Sequence, residues 1–122
     1  MSEPRFLLWI LDVETREPKP LRDVRRFAGW RNSHEDLCHV GRTTVGESSV
    51  STVFTGIDTN PFDTGPILFE TLVYGGPLDR KAWRYCTYAE AEQGHERIVS
   101  TLRRMTDVSE HEAHQLLREL RR

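Results

Sequence analysis

The chain has 122 residues, with 17 Lys and Arg against 19 Asp and Glu, and a formal net charge of −2. This length predicts a single domain, because two independent units would each be too small to bury an ordinary core. The balanced charge gives no sign of the strongly basic face that is typical of nucleic-acid-binding proteins.

The N-terminus and the cysteines indicate a reducing compartment. The longest apolar run, Phe6 to Leu11, is far shorter than the roughly 20 residues of a membrane span, and the acidic start MSEPR does not resemble a secretory signal. Cys38 and Cys86 lie far apart without a CxxC pattern, so we expect two free thiols and neither a zinc site nor a disulfide. We therefore predict a cytoplasmic protein, of a bacterium or of an infected host bacterium, without membrane attachment. We also expect no cofactor.

The N-terminal part of the chain predicts one strand and one helix. FLLWIL is typical of a short strand covered on both faces, and the prolines of DVETREPKP end it. Apolar residues at helical spacing from Leu21 to Ala28 predict a short amphipathic helix that frays near Gly29. The following RNSHEDLCHVGRTT predicts only a connecting segment, with a helical turn around Glu35 to Val40.

Two runs in the middle of the chain predict paired strands joined by a long loop. Side chains alternate from Val50 to Ile57 and again from Ile67 to Tyr74, as in β-strands. Gly75, Gly76 and Pro77 end the second run. The nine residues 58–66 exceed the about two to five residues of a tight hairpin, so we expect this loop to have a role of its own.

Two capping boxes predict the helices of the C-terminal part. Thr87 and Glu90 are spaced so that each side chain can bond the backbone N–H of the other, which begins a long helix. Ser109 and Glu112 form the second box and begin a last helix, about 109–121, that is added to a core spanning about 5–105. The apolar stripe of the long helix comprises Tyr88, Ala91, His95, Ile98, Leu102 and Met105.

The predicted order is β-α-β-β-α-α. It defines an α+β fold in which helices cover one face of a small, mainly antiparallel sheet, all within one domain of residues 1–122. Three strands are few for such a sheet, and edge strands with long apolar runs invite pairing with a second chain. We therefore expect a homo-oligomer.

Several motif matches are too incomplete to carry chemistry. His111 and His114 of HEAH are three residues apart instead of four and lack a third zinc ligand. Asp58, Asn60 and Asp63 begin like a calcium loop but lack its glycine and its closing glutamate, so a capped turn is favoured. GxSxG, P-loop and GxGxxG patterns are absent. We expect no metal ion and assign no catalytic residue.

Two polar side chains occur where the pattern predicts burial. Glu70 lies in the middle of an apolar strand, and His95 lies in the apolar stripe of the long helix. A buried carboxylate is costly unless it is paired, and Arg84 is its candidate partner. One interpretation is structural, with Glu70 in an ion pair and His95 satisfied at an interface. The alternative is a polar pocket between sheet and helix, rimmed by the loop from Asp58 to Pro66.

A pattern that runs from the predicted strands into the long helix can be compared with known families. Its positions are VSTVF at Val50 to Phe54, Gly56, Asp58, ILFET at Ile67 to Thr71, Gly75, Gly76, Arg84, Tyr85, Tyr88, Glu90, Ala91, Gly94 and His95. These residues resemble a family of small proteins of bacteriophages and prophages, and the resemblance covers about Trp9 to Val99. The family usually has His where Thr59 stands, so a role for that histidine does not transfer to this chain.

The phage origin that this resemblance implies favours a protein that blocks a host defence by binding. The leading hypothesis is a non-enzymatic oligomer, a sponge for a nucleotide-derived immune signal, with arginines for the phosphate and aromatic rings for the base. The candidate ligand-binding residues are Asp58, Thr59, Asn60, Phe62, Glu70, Arg84, Tyr85 and His95. One alternative is an inhibitor that binds a host defence enzyme or nuclease. The other is an enzyme that degrades the signal with His95 and Glu70 as base and acid.

Overall fold

The computed structural model describes residues 7–62, 64–105 and 110–120. The strands in these residues are β1 (Leu8–Leu11), β2 (Pro18–Leu21), β3 (His39–Val45), β4 (Ser48–Phe54), β5 (Phe69–Tyr74) and β6 (Ala82–Tyr85). The helices in the same residues are α1 (Val24–Ser33), α2 (Glu35–Cys38), α3 (Tyr88–Met105) and α4 (Glu110–Leu120), with a 3₁₀ turn at Gly76–Leu78. β1 and β2 form a hairpin, and β3 to β6 form a four-stranded antiparallel meander. The predicted α+β class is confirmed.

Helix α3 packs across one face of the meander. Alternate residues of the two central strands are buried on that face, namely Ser48, Val50, Thr52 and Phe54 of β4 and Phe69, Thr71 and Val73 of β5. The facing side of α3 buries Ala91, His95, Ile98 and Leu102, as the predicted stripe requires. Because strand side chains alternate between the two faces, the residues between these buried positions lie on the opposite face, which we call the outer face.

Several elements were not predicted, and their sequences explain why. β3 carries a register shift between His39 and Gly41, which interrupts the period-two pattern that would reveal a strand. β2 contains Pro18 and Pro20, which were expected only to end β1. Both prolines pair with β1 in a two-stranded sheet, where a strand needs donors on only one side. The predicted order of elements therefore lacked β2, β3 and β6, whereas α2 lies where a helical turn was expected around Glu35 to Val40.

Helix α1 continues past Gly29, where we expected it to fray. The Asp23 side chain caps its start by accepting from the backbone N–H groups of Arg25 at 2.9 Å and Arg26 at 3.2 Å. Further along, Arg31 Nη1 donates to the carbonyl oxygens of Phe54 at 2.8 Å and Thr55 at 2.7 Å. These two bonds fix the last turn of α1 against the end of β4, so tertiary contacts outweigh the low helix propensity of glycine.

One of the two hydrogen bonds predicted for the capping box of α3 is present. Thr87 Oγ1 accepts from the Glu90 N–H at 3.1 Å, and it donates to the Glu90 carboxylate at 2.9 Å, so the carboxylate bonds the hydroxyl and not the backbone. The second predicted box begins at Ser109, which lies outside the described residues.

Among the described residues, none of the helices combines the length and apolar composition that a bilayer span requires.

Candidate functional site

A continuous chain of hydrogen bonds crosses the meander beneath α3. His95 on α3 bonds Thr43 of β3 through Nε2 at 2.8 Å and Thr52 of β4 through Nδ1 at 2.7 Å. Thr52 Oγ1 lies 2.6 Å from Thr71 Oγ1 on β5, and Thr71 Oγ1 lies 3.0 Å from the Tyr85 hydroxyl on β6. Each of the four strands therefore contributes one hydroxyl, and we call these five residues the buried polar chain.

Two glycines make room for the ends of the buried polar chain. A Cβ atom on Gly41 would lie 2.9 Å from the His95 ring, which is closer than real Cβ contacts allow. On α3, a Cβ atom on Gly94 would collide with the Tyr85 hydroxyl. Both positions therefore require glycine so that α3 can approach β3 and β6 closely enough for the hydrogen bonds to form.

Burial keeps the imidazole of His95 neutral at neutral pH. It lowers the pKa of His95 below the ordinary 6.5, and the Glu96 carboxylate opposes this shift. A neutral imidazole has one donor and one acceptor nitrogen, and both nitrogens of His95 bond threonine hydroxyls. His95 is therefore a satisfied interface histidine, which was one of the two interpretations of the sequence.

Tyr85, the last residue of the buried polar chain, lines a surface cleft of about 290 Å³ between β6 and α3. We call it the Tyr85 cleft, and it is lined by Tyr85, Glu90, Gln93, Gly94 and Arg97. Burial raises the pKa of Tyr85, while the hydrogen bond with Thr71 and the charge of Arg97 oppose the increase. The Arg97 guanidinium is therefore close enough to act on the Tyr85 hydroxyl electrostatically. Within the described residues Arg97 forms no ion pair.

The structure places Glu70 and Arg84 on the outer face and not beside His95. Arg84 Nε lies 3.1 Å from Glu70 Oε2, with side-chain exposures of 55% and 29%. The two residues are register partners on β5 and β6, which is the pairing that the sequence suggested. His95 lies on the opposite face of the sheet, because it bonds Thr52, which bonds Thr71, and Thr71 is the strand neighbour of Glu70. His95 and Glu70 therefore do not meet at one substrate as base and acid.

The loop between β4 and β5 is organised by two of its polar side chains. Asp58 Oδ1 accepts from the N–H groups of Asn60 at 2.8 Å and Ile67 at 3.1 Å. Asn60 is 5% exposed, its Oδ1 accepts from the Phe62 N–H at 3.0 Å, and its Nδ2 donates to Thr64 and Gly65. The predicted capped turn is confirmed, and Asp63 of the calcium-loop comparison lies outside the described residues.

Two other candidate residues of this loop point to the surface. The Thr59 side chain is exposed, and Phe62 is 69% exposed. Asp58 is close enough to β6 for its charge to act on Cys86. The loop therefore lies near the end of β6, but the residues that line the Tyr85 cleft do not include it.

Both cysteines are free thiols in the structure. Burial raises the pKa of Cys38, with Arg31 opposing and Glu35 adding to the shift. Burial also raises the pKa of Cys86, and the charges of Glu90 and Asp58 raise it further. Nucleophilic cysteines need a lowered pKa, so neither environment activates the thiol. In the part of the chain that is described, no three His, Cys, Asp or Glu residues are placed to share a metal ion.

Sequence reasoning missed most of this site. Thr43, Thr52 and Thr71 were interpreted only as strand or connecting residues, and Gln93 and Arg97 were not singled out. The available signal was a pair of threonines, Thr52 and Thr71, one in each of the two predicted strands. Both strands face the helix that carries His95. Two larger clefts, each of about 380 Å³, lie elsewhere among the described residues, and neither is lined by a member of the buried polar chain.

Comparisons of the chain with protein-family models, with curated proteins and with solved structures give no match. The fold and site thus define an α+β protein whose sheet carries a buried polar chain that ends in a surface cleft.

Proposed function

We propose that the protein is a non-enzymatic binding protein that takes up a small phosphate-bearing ligand in the Tyr85 cleft. The observation that carries this proposal is the Arg97 guanidinium, which lines a concave site beside the Tyr85 hydroxyl. Arginine binds phosphate through two parallel N–H donors, and such charge-assisted bonds are about twice as strong as neutral ones.

The lining of the cleft also favours a ligand with a second polar group. Glu90, Gln93, Gly94 and Arg97 are spaced at i, i+3, i+4 and i+7, so they form one stripe of α3 about 10 Å long at 1.5 Å per residue. Glu90 at one end accepts hydrogen bonds, and Arg97 at the other end donates them. A nucleotide carries a phosphate at one end and base amino groups at the other, which matches this polarity.

The biological role that we propose follows from the resemblance to phage proteins. A phage protein that holds a nucleotide-derived signal of its host would prevent that signal from activating a defence. The volume of about 290 Å³ is at the lower limit of ligand pockets, which favours a mononucleotide-sized group.

Recovery of an intact nucleotide from protein purified from infected cells, measured by native mass spectrometry, would support sequestration. Recovery of a cleaved product would support the enzyme alternative.

Calorimetric titration with adenosine 5′-monophosphate and with inorganic phosphate tests the site directly. Arg97→Ala should weaken phosphate affinity by about 10-fold or more, because it removes charge-assisted hydrogen bonds. Arg104→Ala is the matched control, since Arg104 is an exposed arginine of the same helix outside the cleft. If Arg84→Ala weakens binding and Arg97→Ala does not, the ligand binds the outer face and the proposed site is wrong.

The second candidate function is an inhibitor of a host defence protein. The observation that favours it is Phe62, a large apolar side chain that is 69% exposed on a loop fixed by Asn60. Aromatic residues are enriched at binding hot spots. With a captured host enzyme, Phe62→Ser should abolish inhibition while leaving nucleotide binding in the Tyr85 cleft unchanged.

We also propose that the protein forms a homo-oligomer through β3. β3 is an edge strand of seven residues that contains neither Pro nor Lys, which are common protections against edge pairing. Thr44 is an exposed side chain of this strand. Sedimentation velocity should show a dimer or larger assembly, and Thr44→Lys should shift it toward the monomer. A monomer at all concentrations for the unaltered chain refutes this assembly.

A further inference from the structure

Each hydrogen bond in the buried polar chain determines the direction of the next. A threonine hydroxyl has one proton to donate, and a neutral imidazole has one N–H and one lone pair. Thr52 and Thr71 are each 0% exposed and are bonded only to members of the chain among the described residues. A proton that points the wrong way therefore has no other acceptor, and an unpaired buried donor is costly.

Two arrangements satisfy every bond. In the inward arrangement, Tyr85 donates to Thr71, Thr71 to Thr52 and Thr52 to His95 Nδ1, while Nε2–H donates to Thr43. In the outward arrangement, Thr43 donates to Nε2, Nδ1–H donates to Thr52, Thr52 to Thr71 and Thr71 to Tyr85. Mixed arrangements leave a buried proton unpaired or leave two oxygens facing each other without a proton between them.

The two arrangements present different chemistry at the surface. The Tyr85 hydroxyl lies against Gly94, which lines the Tyr85 cleft. In the inward arrangement its proton is used inside the protein, so the hydroxyl can offer the cleft only an oxygen lone pair. In the outward arrangement Tyr85 accepts from Thr71 and its own proton is available to a ligand. A phosphate oxygen accepts hydrogen bonds, so only the outward arrangement lets Tyr85 bind it.

We propose that His95 is a specificity-determining residue of the Tyr85 cleft, because its tautomer sets whether Tyr85 offers a donor or an acceptor to the ligand. An anion selects the Nδ1–H tautomer, and an uncharged donor selects the Nε2–H tautomer. This inference rests on the proposed function for the identity of the ligand. The coupling between His95 and Tyr85 rests on the hydrogen bonds alone.

Ionisation of residue 85 tests the coupling without any ligand. 3,5-Difluorotyrosine, which has a more acidic phenol, is placed at position 85 by suppression of an amber codon. Its phenolate only accepts hydrogen bonds, so the chain must run outward, and the nearby Arg97 charge favours the anion. The tautomer of His95 is measured by long-range ¹H–¹⁵N spectra above neutral pH, with assignment by loss of the signals in His95→Gln.

Raising the pH through the titration of the difluorophenol should change the ratio of Nδ1–H to Nε2–H by about 10-fold or more, the factor that one unpaired buried group brings. The matched control is difluorotyrosine at Tyr88, which lies on the same helix as His95 and outside the buried polar chain. An unchanged ratio at position 85, or an equal change at position 88, overturns the inference.

The unsubstituted protein is then titrated with inorganic phosphate in the same spectra. Binding that depends on Arg97 should raise the Nδ1–H fraction. Binding that depends on Arg97 but leaves the tautomer ratio unchanged refutes the selection of a tautomer by an anion and leaves the proposed site intact. Conversely, a tautomer change with the difluorophenol together with no phosphate binding refutes the proposed function and leaves the coupling intact.

Discussion

Replacement of Thr52 by valine is the most direct test of the buried polar chain. The substitution keeps the shape of the side chain and removes an oxygen that lies 2.7 Å from His95 Nδ1 and 2.6 Å from Thr71 Oγ1. Two buried polar groups then lose a partner, at about 1–3 kcal/mol each. Part of this cost is offset by the added methyl group, so we expect a loss of about 3 kcal/mol in the free energy of unfolding.

A loss of this size should lower the midpoint of thermal unfolding by roughly 10–15 °C for a chain of this length. Chemical denaturation followed by circular dichroism gives the free energy itself. Thr44→Val is the matched control, because Thr44 is exposed on β3, and its midpoint should change little.

A double-mutant cycle separates the network from simple loss of packing. Thr71→Val alone should also destabilise the protein, since Thr52 then keeps only its bond to His95 and the Tyr85 hydroxyl loses its partner in the chain. The double variant should cost about 1 kcal/mol less than the sum of the single costs, because the Thr52–Thr71 bond is then counted once. A cost for Thr52→Val below about 0.5 kcal/mol, the usual scatter of surface substitutions, would refute the chain as a stabilising network.

Three further predictions concern other parts of the structure. Gly94→Ala should displace the Tyr85 hydroxyl, lower stability by about 1–3 kcal/mol in denaturant unfolding and abolish phosphate binding, since overpacking forces the backbone to shift; unchanged binding would contradict the position of the cleft. Because burial lowers the pKa of His95, the unfolded chain binds the proton more tightly, so stability should fall as pH decreases below about 6.5, and His95→Gln should remove this pH dependence. Asn60→Ala should cost about 1–3 kcal/mol because it removes buried hydrogen bonds of the loop, whereas the exposed neighbour Thr59→Ala should cost under about 0.5 kcal/mol; equal effects would show that the loop does not depend on Asn60.

The class of fold could be predicted because its two clearest elements are local. The alternation of β4 and the capping box with the apolar stripe of α3 are both visible in short windows of sequence. β3 could not be recognised, because its register shift and Gly41 break the alternation. β6 has only four residues, which is too few for periodicity to separate a strand from a loop.

The site could be predicted only in part, because it depends on which face of β5 is buried. Both faces of the predicted strand carry apolar residues, and the burial that the pattern predicts for Glu70 is wrong, because alternation alone does not show which face of a strand is turned inward. In the structure Thr71 is the inward side chain, and the ion pair of Glu70 with Arg84 lies on the outer face. The contact between Thr43 and His95 joins residues 52 positions apart, which no local pattern reveals.

The participation of all four strands has a consequence for folding fidelity. If β4 slipped by one residue along β5, Thr52 would turn to the opposite side of the sheet. If it slipped by two, Val50 or Phe54 would meet the imidazole, and a ring nitrogen would be stranded in the core. A sheet in a shifted register is thus less stable even where its hydrophobic residues still face inward. The polar groups under α3 therefore favour the correct alignment of the strands.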